Sequence, residues 1–223
     1  NDVQAIHLHM DRINDSGLRA ALSALGEEIG GSLSYDEMHS GIYATDASNY
    51  QIRPLGVAFP RSEEDVLRIV HWANRHRIPL VGRGGGTSLV GQTIGEGLVV
   101  DFSRYMDRIL ELNVEERWAW VEPGIVRDVL HHALKPHGLH FAPDPATSSR
   151  ATVGGMIANN SSGTRSLRYG KTLDHVLELR VLLADGTVLH SRDIDAAQRT
   201  ALKMDHGREA EILRELTRIV DEQ

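Results

Sequence analysis

The chain has 223 residues, is 41% hydrophobic and 25% charged, and carries a net charge of −7, values that fit one large globular domain or two tightly joined lobes and exclude a globally disordered chain. It has no cysteine, so it forms no disulfide, thiolate zinc site, cysteine-held iron–sulfur cluster or cysteine nucleophile. No apolar run reaches the ~20 residues that span a bilayer, the first residues lack a signal-peptide core, and the acidic balance argues against a general nucleic-acid binder.

In chain order, Ser16 to Ile29 is predicted helical, with a stripe of Leu18, Ala21, Leu22, Leu25 and Ile29 stopped by Gly30-Gly31. Residues 32–55 read as irregular, with turn chemistry at Asp46-Ala47-Ser48-Asn49. Val57 to Phe59 is a short strand ended by Pro60. Ser62 then caps a helix whose first turn is Glu63, Glu64 and Asp65. Its buried face is Val66, Ile69, Val70 and Ala73. Ile78 to Val81 is an apolar strand running into a glycine-rich segment. Leu98 to Val100, Ile109 to Leu112 and Arg117 to Val121 follow as strands, the last placing Trp118 and Trp120 on one face.

Pro123-Gly124 turns into a helix with the stripe Val126, Val129, Leu130, Ala133 and Leu134, ended by Pro136 and Gly138. Residues 143–170 carry few large apolar side chains. Leu177, Leu179, Val181 and Leu183 then form a strand face. Asp185-Gly186 is a hairpin turn with Thr187 to Leu189 returning, and a last helix carries Ile212, Leu213, Leu216, Ile219 and Val220. Helices and strands mix without regular βαβ alternation, which favours α+β over a doubly wound sheet.

Two anomalies point to a ligand. Seven of the 21 glycines lie from Gly82 to Gly97, a stretch with little side chain to pack and much backbone N–H to offer. Two windows also lack acids. Residues 66–95 contain Arg68, Arg75, Arg77 and Arg83 but no carboxylate; residues 145–173 contain Arg150, Arg165, Arg168 and Lys171 but no carboxylate. Each window holds a glycine-rich turn, so together they suggest an anion held between two loops.

The first segment is neither a dinucleotide fingerprint nor a P-loop. It contains no G-x-G-x-x-G, and the run Gly86 to Thr93 has Gln92 where a P-loop needs its phosphate-binding lysine. What remains is a nest of consecutive amides at Gly84 to Ser88, with the hydroxyls of Thr87 and Ser88. Each charge-assisted bond from it to a phosphate contributes about 1.5–3 kcal/mol. On this reading an aspartate at position 85 places a carboxylate where phosphate binds. The alternative is a tight turn without a ligand. In the second segment Pro143 and Pro145 stiffen the approach, Gly154-Gly155 permits close contact with a flat ligand, and Asn159, Asn160, Ser161 and Ser162 suit the polar edge of a heteroaromatic ring.

Twelve histidines raise the question of a metal, but His7/His9, His131/His132 and His137/His140 lack the helical spacing and carboxylate partner of a zinc motif. No metal site is assigned. There is no convincing carboxylate pair and no G-x-S-x-G.

Several ordered motifs resemble the FAD-binding domain of the FAD-linked oxidase family, also called the vanillyl-alcohol oxidase or PCMH type. They are Arg83 to Gln92, Val121-Glu122-Pro123-Gly124, Thr152 to Asn160, Tyr169-Gly170-Lys171-Thr172 and Ala184-Asp185-Gly186. The branch they resemble most is that of the bacterial D-lactate, glycolate and D-2-hydroxyglutarate dehydrogenases, particularly the large proteins fused to an iron–sulfur module. The resemblance implies a PCMH-type α+β fold with FAD between two subdomains, about 43–112 and 113–223, after an N-terminal helical lead at 1–42.

It also implies that Arg83, Gly84, Gly85, Gly86, Thr87, Ser88, Gly91 and Gln92 bind the pyrophosphate. Pro143, Asp144, Ser148, Thr152, Gly154, Gly155, Asn159, Ser161 and Gly163 would line the flavin and its ribityl chain, and Val176 would sit near the adenine. Some relatives tether the flavin through a histidine where this chain has Thr87, so the FAD is expected to be non-covalent.

The implied activity is oxidation of a D-2-hydroxy acid by hydride transfer to flavin N5, with electrons passing to an iron–sulfur centre or another acceptor. The substrate domain, and with it the catalytic residues, is expected beyond Gln223. Alternatives are an NADPH-dependent flavin reductase of the same fold and a non-catalytic nucleotide-binding module. No nucleic-acid partner and no transmembrane segment are expected. The location is expected to be cytoplasmic, with any membrane association peripheral and through partners.

Overall fold

The computed structural model describes residues 16–222; the first part of the N-terminal lead and the His7/His9 pair lie outside them. The chain divides into two units, one ending at His175 and the other running from Val176.

The first unit is built on a four-stranded sheet of order β1-β2-β4-β3: β1 (Ser32–Ser34), β2 (Gly56–Phe59), β3 (Leu80–Arg83) and β4 (Leu98–Asp101). β2, β4 and β3 run parallel, and β1 pairs antiparallel on the β2 edge. Every residue of β2 and β4 is buried, as parallel strands covered on both faces require. On one face lie α1 (Ser16–Glu28) and α3 (Glu63–His76). Leu22, Leu25, Ile69, Trp72 and Ala73 pack there with Ala58, Leu98 and Val100. On the other face Val57, Phe59 and Val99 meet Tyr43, Val81 and Tyr105.

The expected cap of α3 is present. Ser62 accepts from the Asp65 amide at 3.2 Å, and the helix ends on Arg77 in the left-handed region. Residues 32–55, read as irregular, contain both β1 and a one-and-a-half-turn helix, α2 (Glu37–Ile42). β1 is a three-residue edge strand and α2 is short and carries no buried residue, so neither shows an apolar period.

A second core lies further along the same unit. The hairpin of β5 (Ile109–Asn113) and β6 (Trp118–Val121) is followed by α4 (Arg127–Leu134) and, after a long loop, by α5 (Val153–Ala158). Ile125, Leu130, Leu134 and Val153 form its centre, with Val121, Phe141 and Ile157 against them. Here the sequence reading needs one correction. Val129, assigned to the buried stripe of α4, is 57% exposed, and Arg127 is buried instead. Residues 143–170 contain α5 and a short α6 (Ser166–Tyr169), too brief and too poor in large apolar residues to show a period.

The second unit is a hairpin of β7 (Glu178–Leu182) and β8 (Val188–Arg192), turning at Gly186 (φ 88°), with α7 (Ala196–Lys203) and α8 (Arg208–Asp221). The hairpin and α8 match expectation. α7, which was not expected, starts on an Asp195/Gln198 capping box. The architecture is α+β.

Candidate functional site

The glycine-rich loop leaves the C-terminal end of β3, where loops of parallel sheets commonly carry ligands. A network beneath it sets its path. The Arg83 guanidinium donates to the Thr45 carbonyl at 2.9 Å and the Thr93 carbonyl at 3.2 Å, and lies 4.9 Å from the Tyr43 ring centre. Tyr43 donates its hydroxyl to the buried Asp101 at 2.6 Å, and burial with this bond pushes the phenol well above its ordinary range. Asp46 accepts from the Ser48 amide at 2.9 Å and the Thr93 hydroxyl at 3.0 Å. Partial burial opposes ionisation of Asp46, but these bonds outweigh it and hold the carboxyl below its usual range. The Ala47 amide donates to the Gly86 carbonyl at 3.0 Å. The turn at residues 45–48, noted in the sequence only as turn chemistry, is therefore the brace of the glycine loop.

Among the described residues, none of the five amides from Gly84 to Ser88 donates to a protein acceptor. Ser88 and Gln92 engage each other: the Ser88 hydroxyl donates to Gln92 Oε1 at 2.9 Å and accepts from the Val90 and Gln92 amides. Gly91, in this small closed turn, has φ +74° and faces Tyr50.

The second loop, residues 141–152, is held by a side chain the sequence reading missed. Arg127 is 6% exposed. Its Nε donates to the Pro143 carbonyl at 2.9 Å, Nη2 to the Phe141 carbonyl at 2.8 Å and Nη1 to Asp128 at 3.0 Å. Asp128 in turn accepts from the Ser148 hydroxyl at 3.2 Å. Arg127, Leu130 and Leu134 share one helix face, so the position was visible as a charge on a buried stripe. Thr152, buried, caps α5 by accepting from the Gly155 amide at 3.4 Å. The Gly154 amide donates to Pro123, and a Cβ at Gly154 would lie 2.6 Å from the Pro123 ring, which ties the Pro123-Gly124 turn to the loop.

Asp144 clamps the turn that follows α5. It accepts from the Arg165 amide at 3.1 Å and the Thr164 hydroxyl at 3.3 Å, and Gly163 sits against its carbonyl. The Ser161 carbonyl takes the buried Thr172 hydroxyl at 2.7 Å. Gly155 and Asn159 are exposed.

The two loops meet closely, Gly84 against the Thr152 side chain and Gly85 against the Arg150 backbone. A Cβ on Gly84 would fall 2.0 Å from Thr152 Oγ1, and one on Gly85 2.2 Å from the Arg150 carbonyl oxygen. Only glycine permits that approach. This changes the reading of position 85: any side chain there collides with the second loop before its charge matters. Val176 opens the second unit.

The arrangement suits a dinucleotide with a diphosphate. Five amides lack protein acceptors, neutral polar groups follow in the adjoining segment, and no step of the design asks for a metal. Among the described residues no three His, Asp or Glu side chains are grouped as metal ligands, and no helix is long and apolar enough to cross a membrane.

Residues 54–192 match the family model described as FAD binding domain. The chain is 47% identical over 92% of its length to D-2-hydroxyglutarate dehydrogenase of Pseudomonas putida, covering 20% of that protein. It is 37% identical over 74% of its length to glycolate oxidase subunit GlcD of Bacillus subtilis, covering 36% of it. Among solved structures, an alkyldihydroxyacetonephosphate synthase superposes with a TM-score of 0.66 at 25% identity over 72% of this chain and 35% of that one. The 6-hydroxy-D-nicotine oxidase of Arthrobacter nicotinovorans gives 0.67 at 23% identity over 78% of this chain and 38% of that one. The chain thus spans a fifth of the Pseudomonas dehydrogenase and about a third of the glycolate oxidase subunit. With the two loops closed on each other and the family model matched across both, the chain belongs to the FAD-binding domain family of FAD-linked oxidases, and its cofactor is FAD.

Proposed function

We propose that the chain is the FAD-holding part of a dehydrogenase that oxidises a D-2-hydroxy acid of the lactate, glycolate or 2-hydroxyglutarate type. The observation that carries this reading is the contact of Gly84 and Gly85 with Arg150 and Thr152, in a chain 47% identical to a D-2-hydroxyglutarate dehydrogenase. When bound, the flavin would supply the two-electron redox chemistry for oxidation of the hydroxyl-bearing carbon.

The chain's own residues bind and orient. The amides of Gly84 to Ser88 and the Thr87 hydroxyl would hold the diphosphate, and three or four such bonds at about 1.5–3 kcal/mol each suffice without a cation. Arg83 would act from behind the loop, because its guanidinium serves the Thr45 and Thr93 carbonyls. Ser88, Gly91 and Gln92 would close the loop's far turn. Gly154, Gly155, Asn159 and Ser161 would face the flavin and ribityl chain, with Pro143, Asp144, Ser148, Thr152 and Gly163 fixing that surface. Val176 would lie toward the adenine. The FAD would be non-covalent, since Thr87 stands where some relatives carry a tethering histidine. The seam between the two FAD-binding lobes would fall near residue 112. Substrate groups and the electron acceptor, an iron–sulfur module or a separate partner, would come from outside this chain.

Flavin absorbance of the full-length protein tests the reading. Bleaching by D-2-hydroxy acids and not by NADPH supports it, bleaching by NADPH alone favours a flavin reductase, and a colourless protein that refuses added FAD overturns it.

A further inference from the structure

The two loops are closed by contacts that begin at a residue outside both. Arg127 and Asp128 bond to the second loop at Phe141, Pro143 and Ser148 through side chains, and at Ala151 and Ser148 through their own amides. Among the described residues every hydrogen bond of the guanidinium goes to this loop or to Asp128. Arg150 and Thr152, at the end of the same loop, are the groups on which Gly85 and Gly84 rest. A shift of the second loop therefore passes directly to the amides of the first.

We infer that Arg127 is a positioning residue for the cofactor: it sets the second loop, and through it the glycine loop, at the spacing FAD requires. This rests on the cofactor reading above. The planar fork explains the choice of residue. Two carbonyls two residues apart in sequence and a carboxylate are reached at once by guanidinium N–H groups, a geometry that one ammonium group cannot reproduce. Burial raises the effect, because the two carbonyls lose their partner where little water can replace it.

The test compares the unsubstituted full-length protein with its Arg127→Lys and Arg127→Met variants. FAD affinity is read by flavin fluorescence and the bound flavin's visible band by its fine structure; amide hydrogen exchange is read without FAD. Both variants should weaken FAD by about tenfold or more and blur the band's structure. Exchange should quicken at Ser148, Arg150 and Ala151 and stay unchanged in β2 and β4. Affinities within about twofold of the unsubstituted protein overturn the inference. So does loss of protection throughout β2 and β4, which makes Arg127 a residue of the global fold. If the unsubstituted protein itself takes up no FAD, the cofactor reading fails and carries this inference with it, an outcome distinct from variants that match it.

Discussion

The two loops of the candidate site are held by opposite means. The first is positioned by the absence of side chains: Gly84 and Gly85 let its backbone touch the second loop, and its bracing comes from the neighbouring turn at residues 45–48. The second is positioned by one large buried side chain, Arg127, that spans from α4 to the Phe141 and Pro143 carbonyls. The difference has a physical origin. A loop that must present free amides cannot spend them on its own fold, so steric fit replaces hydrogen bonding as its restraint. A loop that presents side chains can have its carbonyls gripped from behind.

The largest test of this contrast is at Gly85. If its role is close approach, alanine should be nearly as damaging as aspartate, since the Cβ already falls 2.2 Å from the Arg150 carbonyl oxygen. Gly85→Ala should lower unfolding free energy by roughly 1–3 kcal/mol and abolish FAD retention, as read by denaturant titration and flavin fluorescence. An alanine variant that binds FAD normally while the aspartate variant does not would return the position to an electrostatic role.

Next comes the brace. Asp46→Ala removes acceptors of the Ser48 amide and the Thr93 hydroxyl and should cost about 1–2 kcal/mol. The effect should be pH-dependent. Because the folded-state carboxyl titrates below its unfolded value, the stability it adds is complete above the unfolded pKa near 3.8 and is lost as pH falls through the lower folded value. The gap between this variant and the wild type in unfolding midpoint should therefore narrow in acid. A constant gap down to strongly acidic pH would remove the charged form from the explanation.

At Thr152 the two loops share a residue, which caps α5 and touches Gly84. Thr152→Val keeps the shape and loses the cap, at about 1 kcal/mol, while Thr152→Ser keeps the cap. Thermal unfolding separates them. A larger loss in Thr152→Ser than in Thr152→Val would show that the methyl group against Gly84, and not the cap, is what matters.

The sequence made the first loop legible and the second only partly so, for the reason this contrast predicts. Steric demands are written where they act: the glycines stand at the contact itself, and the acid-free windows mark both loops. The grip on the second loop is written at Arg127, fourteen residues before Phe141, and an arginine on an otherwise apolar stripe looks like an interruption until the partner carbonyls are known. The same holds for the fold. α3, β2 and β4 carry apolar runs that can be read and were found, whereas β1, α2, α5 and α6 have three to six residues each and show no period. Tyr43 and Asp101, 58 positions apart, join only when the sheet forms.

The smallest expected effect concerns the helix that carries Arg127. His131, one turn on, has its Nδ1 buried without a hydrogen-bond partner. Burial, then the neighbouring Arg127 guanidinium and the His140 and His132 rings, lower its pKa, against a weaker opposing pull from Asp128. Neutral imidazole is therefore the form the fold prefers, and the sign follows. Between the unfolded value near 6.5 and the lower folded one, the unfolded chain binds more protons, so stability is complete above that unfolded value and declines as pH drops below it. His131→Leu removes both the titration and the unpaired nitrogen, so its unfolding midpoint should fall less than that of the wild type on moving from neutral to mildly acidic buffer. Because eleven other histidines are common to both proteins, the difference in slope isolates this one. If the second loop is gripped as described, the same acidification should lower the protection of the Ser148 and Ala151 amides, taken relative to their intrinsic exchange at each pH, in the wild type and leave it unmoved in the leucine variant; matching protection in both would confine His131 to α4 and separate it from the loop.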